Sequence, residues 1–242
     1  MTEHVRPAHA APETGATDTT GFADVADPRE RLSTVSFAAA VEGRCSVRRF
    51  LPDPVPREHV EAMVALAVRA ANAGNSQPWR FAAVQDEGLR RDMAEAVHAA
   101  LDLMASLPEC AGRGRDIRAI RAYATFFVDA PVVVAVFVLP YGARSDELLA
   151  ARGLPAEERD RVRQRPDLQS IGAAIQILVT AAHTMGYGSC WMTAPVLAAP
   201  AIEAIIEAPG GARLAALVPI GRPAGRPRRS KRLPLDEVLL WR

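Results

Sequence analysis

Three cysteines in 242 residues, Cys45, Cys110 and Cys190, are few, odd in number and in no metal-ligand spacing, so neither a disulfide framework nor a cysteine metal cage is expected. The five histidines, His4, His9, His59, His98 and His183, form no HExxH pattern, and no CxxC is present, so no metal is expected either. A GxSxG elbow is missing, which argues against a nucleophilic triad of that kind. No run of about 18 apolar residues occurs, so no membrane span is expected. The N-terminus lacks a basic-then-apolar leader, and with so little cysteine the expectation is a reduced, cytoplasmic protein. A net charge of +1 does not point to nucleic acid or an anionic membrane. There is also no P-loop and no dinucleotide fingerprint.

What is present is a globular composition, 49% hydrophobic and 24% charged, enough for a sizeable core. Residues 1–30, rich in Ala, Thr, Pro, Asp and Glu without periodicity, read as a disordered tail, and 31–242 as one domain. A first helix is expected over Ser36 to Glu42. After Pro52, Pro54 and Pro56 comes a strong helix, with Val60, Met63, Val64, Ala67 and Val68 on one stripe, stopping near Ala71 to Gly74. A strand is expected over Phe81 to Val84 and a helix over Gly88 to Leu103. Residues 105–122 are arginine-rich and read as a lid or surface loop-helix. Ala130 to Leu139 is a continuous β-branched run, a central strand buried on both faces. A charged excursion follows over 143–168.

Ser170 to Met185 is apolar almost all round, as in a helix enclosed at a domain centre or a subunit interface, and Gly186-Tyr187-Gly188 caps it. Short strands are expected at Ser189 to Met192 and Leu214 to Ile220, with a helix opened by Pro200 between them. The chain ends basic and then apolar, from Arg226 to Trp241. An arm that packs on a partner explains such an ending.

Two stretches carry chemistry. Asn72-Ala73-Gly74-Asn75-Ser76-Gln77-Pro78-Trp79-Arg80-Phe81 is a small-residue turn whose amides suit the edge of a planar heterocycle. About 25 residues upstream, Arg44-Cys45-Ser46-Val47-Arg48-Arg49-Phe50 sets an arginine fork around a hydroxyl, suited to a phosphate. A ring plus a phosphate suggests a nucleotide-like cofactor.

These two stretches resemble the FMN-dependent nitroreductase superfamily. Two further segments in the expected order strengthen the likeness: the apolar helix from Ser170 ending Gly186-Tyr187-Gly188-Ser189-Cys190-Trp191, and Val218-Pro219-Ile220-Gly221-Arg222-Pro223 followed by Lys231-Arg232-Leu233-Pro234-Leu235. That superfamily includes nitroreductases, flavin reductases, iodotyrosine deiodinase and a flavin-fragmenting benzimidazole synthase. The resemblance implies an α+β fold, with a central mostly antiparallel sheet flanked by helices. It also implies an intertwined homodimer with a swapped C-terminal arm and FMN at the subunit interface.

By the same resemblance Arg44, Ser46 and Arg48 hold the FMN phosphate and ribityl chain, and Cys45, where a basic or polar residue is usual, contributes its backbone. Arg232 matches a phosphate-binding arginine of the arm, with Arg229 and Lys231 beside it. Asn72 and Ala73 fall at the flavin edge, where Asn72 replaces a hydroxyl donor. Asn75 and Gln77 reach the ribityl chain or the pyrimidine edge, and Trp191, Met192 and Thr193 lie against the ring. Blander roles stay open for each: a solvated basic loop, a charged tail, turn and capping residues, plain core. His98 and His183 are expected to be structural or exposed. The activity implied is ping-pong hydride transfer from NAD(P)H, through flavin N5, to a nitroaromatic, quinone or similar flat acceptor, with no catalytic side chain. Alternatives are an oxidase or dehydrogenase that passes electrons to O₂, a flavin-fragmenting synthase, or a flavin-binding module without turnover.

Overall fold

The computed structural model describes residues 27–242. The expected tail over 1–30 therefore lies outside the described residues except for 27–30, where Pro28–Glu30 form a 3-10 turn capped by Asp27. Two short helices follow, α1 (Arg31–Thr34) and α2 (Phe37–Gly43). The Ser36 side chain accepts the Ala39 N–H and starts α2 where the sequence places it.

Helix α3 (Arg57–Ala67) opens after Pro56. It ends earlier than the apolar stripe suggests, because residues 68–71 turn the chain toward strand β1 (Trp79–Val84). Asp86 caps α4 (Glu87–Ala105) through the Leu89 N–H at 2.8 Å. The arginine-rich stretch forms α5 (Gly114–Thr125), laid on α4 by Arg121, which bonds Asp102 and His98. Strand β2 (Val132–Val138) comes next. The charged excursion is two helices, α6 (Arg144–Ala151) and α7 (Ala156–Arg163), joined by an Arg163–Asp146 ion pair at 3.2 Å.

Helix α8 (Pro166–Thr184) buries nine residues and closes on Gly186, whose φ of 85° a side chain disfavours. Strand β3 (Gly188–Ser189), helix α9 (Ala199–Ile205), strand β4 (Arg213–Gly221) and a last turn, α10 (Leu235–Val238), complete the order.

The sheet runs β1-β2-β4-β3, every neighbour antiparallel. β2 is central and wholly buried, as its β-branched run requires. Its alternation divides the core in two. Val132, Val134, Val136 and Val138 face α3 and α8, with Met63, Ile175 and Leu178. Val133, Ala135 and Phe137 face α4 and α9, with Met93, Leu101 and Ile202. Helices thus cover both faces of a mixed α+β domain. Buried His59 Nδ1 meets the Tyr187 hydroxyl at 2.7 Å and ties α3 to the entry of β3.

Past the Phe50–Pro223 bridge and the Ala224 N–H bond to Arg49 O the chain runs out along an exposed arm. Leu233, Leu235, Val238, Leu240 and Trp241 are exposed, Trp241 by 85%. Among the described residues no helix is long and apolar enough to cross a membrane.

Candidate functional site

The arginine fork is built at the end of α2. Arg44 caps that helix, and its own N–H reaches Ala40. The chain then runs extended along β3. Ser46 bridges Ser189, and the Val47 N–H donates to the Ser189 carbonyl at 2.9 Å. A Cβ on Gly188 would meet Val47 at 2.6 Å, so only glycine admits this approach. On its other side the segment pairs with the root of the arm: Leu51 N–H to Arg222 O at 2.8 Å, and Ala224 N–H to Arg49 O at 3.0 Å. Segments far apart in sequence, 44–51 and 222–224, thus lie side by side.

Their charges converge. His183, near the end of α8, has its pKa pushed down by burial first and then by Arg31, Arg44 and Arg229. Burial raises the Cys190 thiol, while Arg48, the Ser46 side chain and Arg44 pull it back. Among the described residues, Arg44, Arg48 and Arg229 have no ion pair with a carboxylate. Arg44 thus lies within electrostatic reach of both His183 and Cys190, with Arg48 beside the second and Arg229 beside the first, an arrangement that would suit an anion. Arg229 and Arg232 of the arm are both exposed. Cys45 is half-buried between the two arginines.

Next to the cluster lies a cavity of about 420 Å³, lined by Tyr123, Trp191, Met192, Thr193, Ala194, Val196 and Leu197. Arg48 stacks over the Tyr123 ring, 5.4 Å from its centroid, so one wall of the cavity touches the arginine fork. The Trp191 ring rests against α8, where a Cβ on Gly172 would stand 3.3 Å from it. Met192 lines the cavity from below: its side chain is buried and both its backbone groups bond Leu217. Thr193 is exposed at the rim. The cavity is lined mainly by apolar and aromatic side chains, with the exposed Arg48 guanidinium at its Tyr123 wall.

The amide loop docks on the N-terminal part of α8. Asn72 spends its side chain on the loop itself: Oδ1 accepts the Gln77 N–H at 2.9 Å and Nδ2 donates to Ala70 O at 3.2 Å. These bonds hold Gly74, Asn75 and Gln77 at φ of 58°, 51° and 47°, a costly conformation for the two non-glycines. The Ala73 N–H donates to buried Ser170 Oγ, in the first turns of α8. Ser170 and His183 are thirteen residues apart, so the two anchors stand about 20 Å apart along the helix. The structure brings Ser46 and Val47 alongside β3, just before Trp191 and Thr193. It anchors the loop of Asn72, Ala73, Asn75 and Gln77 at Ser170, two residues from the Gly172 on which the Trp191 ring rests and about 20 Å along α8 from His183, where Gly43 and Arg44 lie.

Tyr123 and Ser170 were not singled out in the sequence. A lone tyrosine in an arginine-rich helix gives no signal, and Ser170 reads as the start of a helix.

The profile described as the Nitroreductase family matches residues 41–222. A Thermus thermophilus protein named NADH dehydrogenase is 28% identical over 233 residues, 87% of this chain and 98% of that one. A 5,6-dimethylbenzimidazole synthase of Rhodospirillum rubrum is 30% identical over 210 residues, 84% of this chain and 87% of that one. Among solved structures, a BluB-like flavoprotein from Clostridium difficile superimposes with a TM-score of 0.78 at 28% identity, covering 86% of this chain and 99% of that chain.

Proposed function

The chain belongs to the nitroreductase family, and on that premise we propose that it is an FMN-dependent oxidoreductase acting between NAD(P)H and a flat acceptor such as a nitroaromatic or a quinone. One observation carries this reading: Arg48, without a carboxylate partner, stacks on Tyr123 at the wall of the cavity that Trp191 also lines, with Arg44 and Ser46 on the same segment. FMN, when bound, would supply the redox chemistry, hydride transfer between donor and acceptor.

The residues of this chain bind and orient. Arg44, Arg48 and Arg229 offset a phosphate charge of about −2, with the Ser46 hydroxyl beside them. Trp191 and Thr193 border the ring's place. The cavity lining contains no carboxylate, imidazole or thiol, so the chain's contribution is placement and electrostatics rather than proton transfer.

The reading includes a homodimer. The amide loop and the arginine fork sit at opposite ends of α8. Two copies packed antiparallel along α8 would bring the loop of one beside the fork of the other, so that Asn75 and Gln77 of the partner subunit complete the ring's edge. The apolar arm would cross onto the second copy. A cytoplasmic setting belongs to the same proposal.

The test is direct. Purified protein should show flavin absorption or take up added FMN. Arg44→Ala or Arg48→Ala should weaken FMN binding by about 10- to 150-fold, the worth of a hydrogen bond to a charged group. Unchanged affinity in both variants would refute the phosphate assignment. NAD(P)H should bleach the bound flavin under anaerobic conditions.

The likeness to a dimethylbenzimidazole synthase and a BluB-like flavoprotein supports a second reading, in which the flavin is consumed in the presence of O₂. Against it, Gly74-Asn75-Ser76 keeps a reductase-like pattern. Analysis of the flavin products after aerobic reduction separates the two.

A further inference from the structure

We infer that Tyr123 is a positioning residue for the cofactor's phosphate, acting through Arg48. The inference rests on the phosphate reading of Arg48 given above. Arg48 is exposed, and among the described residues no carboxylate pairs with it. A free arginine side chain samples many rotamers and loses that freedom when it grips an anion. Here its guanidinium lies over the Tyr123 ring, 5.4 Å from the centroid. Stacking uses the flat face of the guanidinium and leaves its N–H edge pointing outward. Face and edge serve different partners, so the ring can hold the group in place while the edge meets a phosphate.

The ring is itself held. Tyr123 packs edge-on against Phe126, with centroids 6.2 Å apart at 69°. Its helix α5 is pinned to α4 by Arg121, which bonds His98 Nδ1 at 2.9 Å and Asp102. Tyr123 therefore passes a fixed position from the helical layer to the tip of a long, exposed side chain. Its hydroxyl takes no part, so phenylalanine should serve as well.

The experiment compares FMN with riboflavin, which carries the same ring and ribityl chain without the phosphate. Each is titrated into apoprotein and followed by quenching of flavin fluorescence. Tyr123→Ala should weaken FMN by about two- to fivefold more than it weakens riboflavin, the range of an exposed cation–π contact; any loss common to both ligands is that of the cavity wall. Tyr123→Phe should bind both as the parent does. In an Arg48→Ala background, Tyr123→Ala should weaken FMN no more than riboflavin. Equal weakening of FMN and riboflavin in the parent background, or the same excess loss of FMN with and without Arg48, would overturn the inference by showing that Tyr123 serves only the ring or acts by itself. If Arg48→Ala weakens FMN and Tyr123→Ala does not, this inference falls and the phosphate reading stands. If Arg48→Ala leaves FMN binding intact, both fall. Tyr123 is half-exposed, so circular dichroism of the alanine variant should match the parent and exclude misfolding.

Discussion

Replacing Gly188 by alanine tests whether the approach of two backbones sets the arginine fork. The new Cβ would lie 2.6–2.7 Å from the Cγ2, Cβ and Cγ1 atoms of Val47, where ordinary contact begins at 3.4 Å. Val47 is buried, so it cannot swing aside, and the 44–50 segment must retreat by about 0.8 Å. That movement stretches the 2.9 Å bond from Val47 N–H to Ser189 O beyond hydrogen-bonding range. Overpacking of this kind costs about 1–3 kcal/mol, and at about 2–4 °C per kcal/mol for a chain of this size the unfolding midpoint should drop by about 2–12 °C. Arg44 and Arg48 flank Val47 and move with it, so FMN affinity should fall about tenfold by the loss of roughly one charged contact. Differential scanning calorimetry and flavin titration read the two effects. Gly142→Ala, which meets nothing within 4 Å, serves as the control. A Gly188→Ala protein with parental midpoint and affinity would show that the contact does not position the fork. Val47→Ala should rescue only part of the loss, because the Val47 Cβ itself remains 2.7 Å away.

Other consequences are open to measurement. Arg90 is buried and donates from Nη1 to Gln85 O at 2.5 Å, with longer contacts to Val128 O and Pro131 O. Arg90→Met should cost about 1–3 kcal/mol in urea unfolding, because it strands carbonyls at the junction of β1, α4 and β2, and a neutral result would mean those carbonyls find other partners. Asn72→Ala should release the strained loop and sharpen hydrogen exchange at Gln77 N–H. Asn72→Asp keeps the acceptor for that N–H and should leave its protection near the parental level. His183 is neutral-favouring in the folded protein because burial and then Arg31, Arg44 and Arg229 depress its pKa. The unfolded chain therefore binds the proton more readily, and the His183 contribution to stability falls as pH drops below the ordinary imidazole value near ~6.5. Adding FMN should raise the His183 pKa in an NMR titration, since the phosphate offsets the neighbouring guanidiniums; an unmoved or lowered value would place the phosphate elsewhere.

Most of the framework was legible because it follows from periodicity. β2 reads as a central strand since seven consecutive apolar residues have no solvated side to spare, and the structure buries all seven. Helix α4 and the Gly186 stop of α8 follow from an Asp cap and a left-handed glycine, both local rules. Local rules say less where a side chain has two chemically sensible uses. Asn72 is as fit to donate to a ring as to bridge its own loop, and in the single chain it bridges the loop that holds Asn75 and Gln77 in a strained conformation. Met192 is as fit for a ring as for the core, and it pairs with Leu217 while lining the cavity. Arg229 and Arg232 cannot be ranked from sequence, since the arm between Gly225 and Pro234 has no periodicity to fix its register. The bonds of Leu51 and Ala224 dock the arm's root beside the fork, and Arg229 acts electrostatically on His183, while which of the two would meet the phosphate belongs to the proposal.

The placement of the two motifs at opposite ends of α8 has a physical consequence for how the helix reads. Its partly exposed stripe runs through Gln169, Gly172, Ala173, Gln176 and Thr180, small or amide-bearing and without a charge. A solvated helix face normally carries charges, as α7 does with Glu157, Glu158, Arg159 and Arg161. An uncharged stripe flush with small residues, opposite nine buried ones, is instead suited to close contact with another helix. One face of α8 belongs to the core of this chain, and the uncharged stripe, apart from Gly172 under the Trp191 ring, is the face on which the proposed second copy would lie. On that account the about 20 Å between Ser170 and His183 is the length of helix along which the two copies would meet.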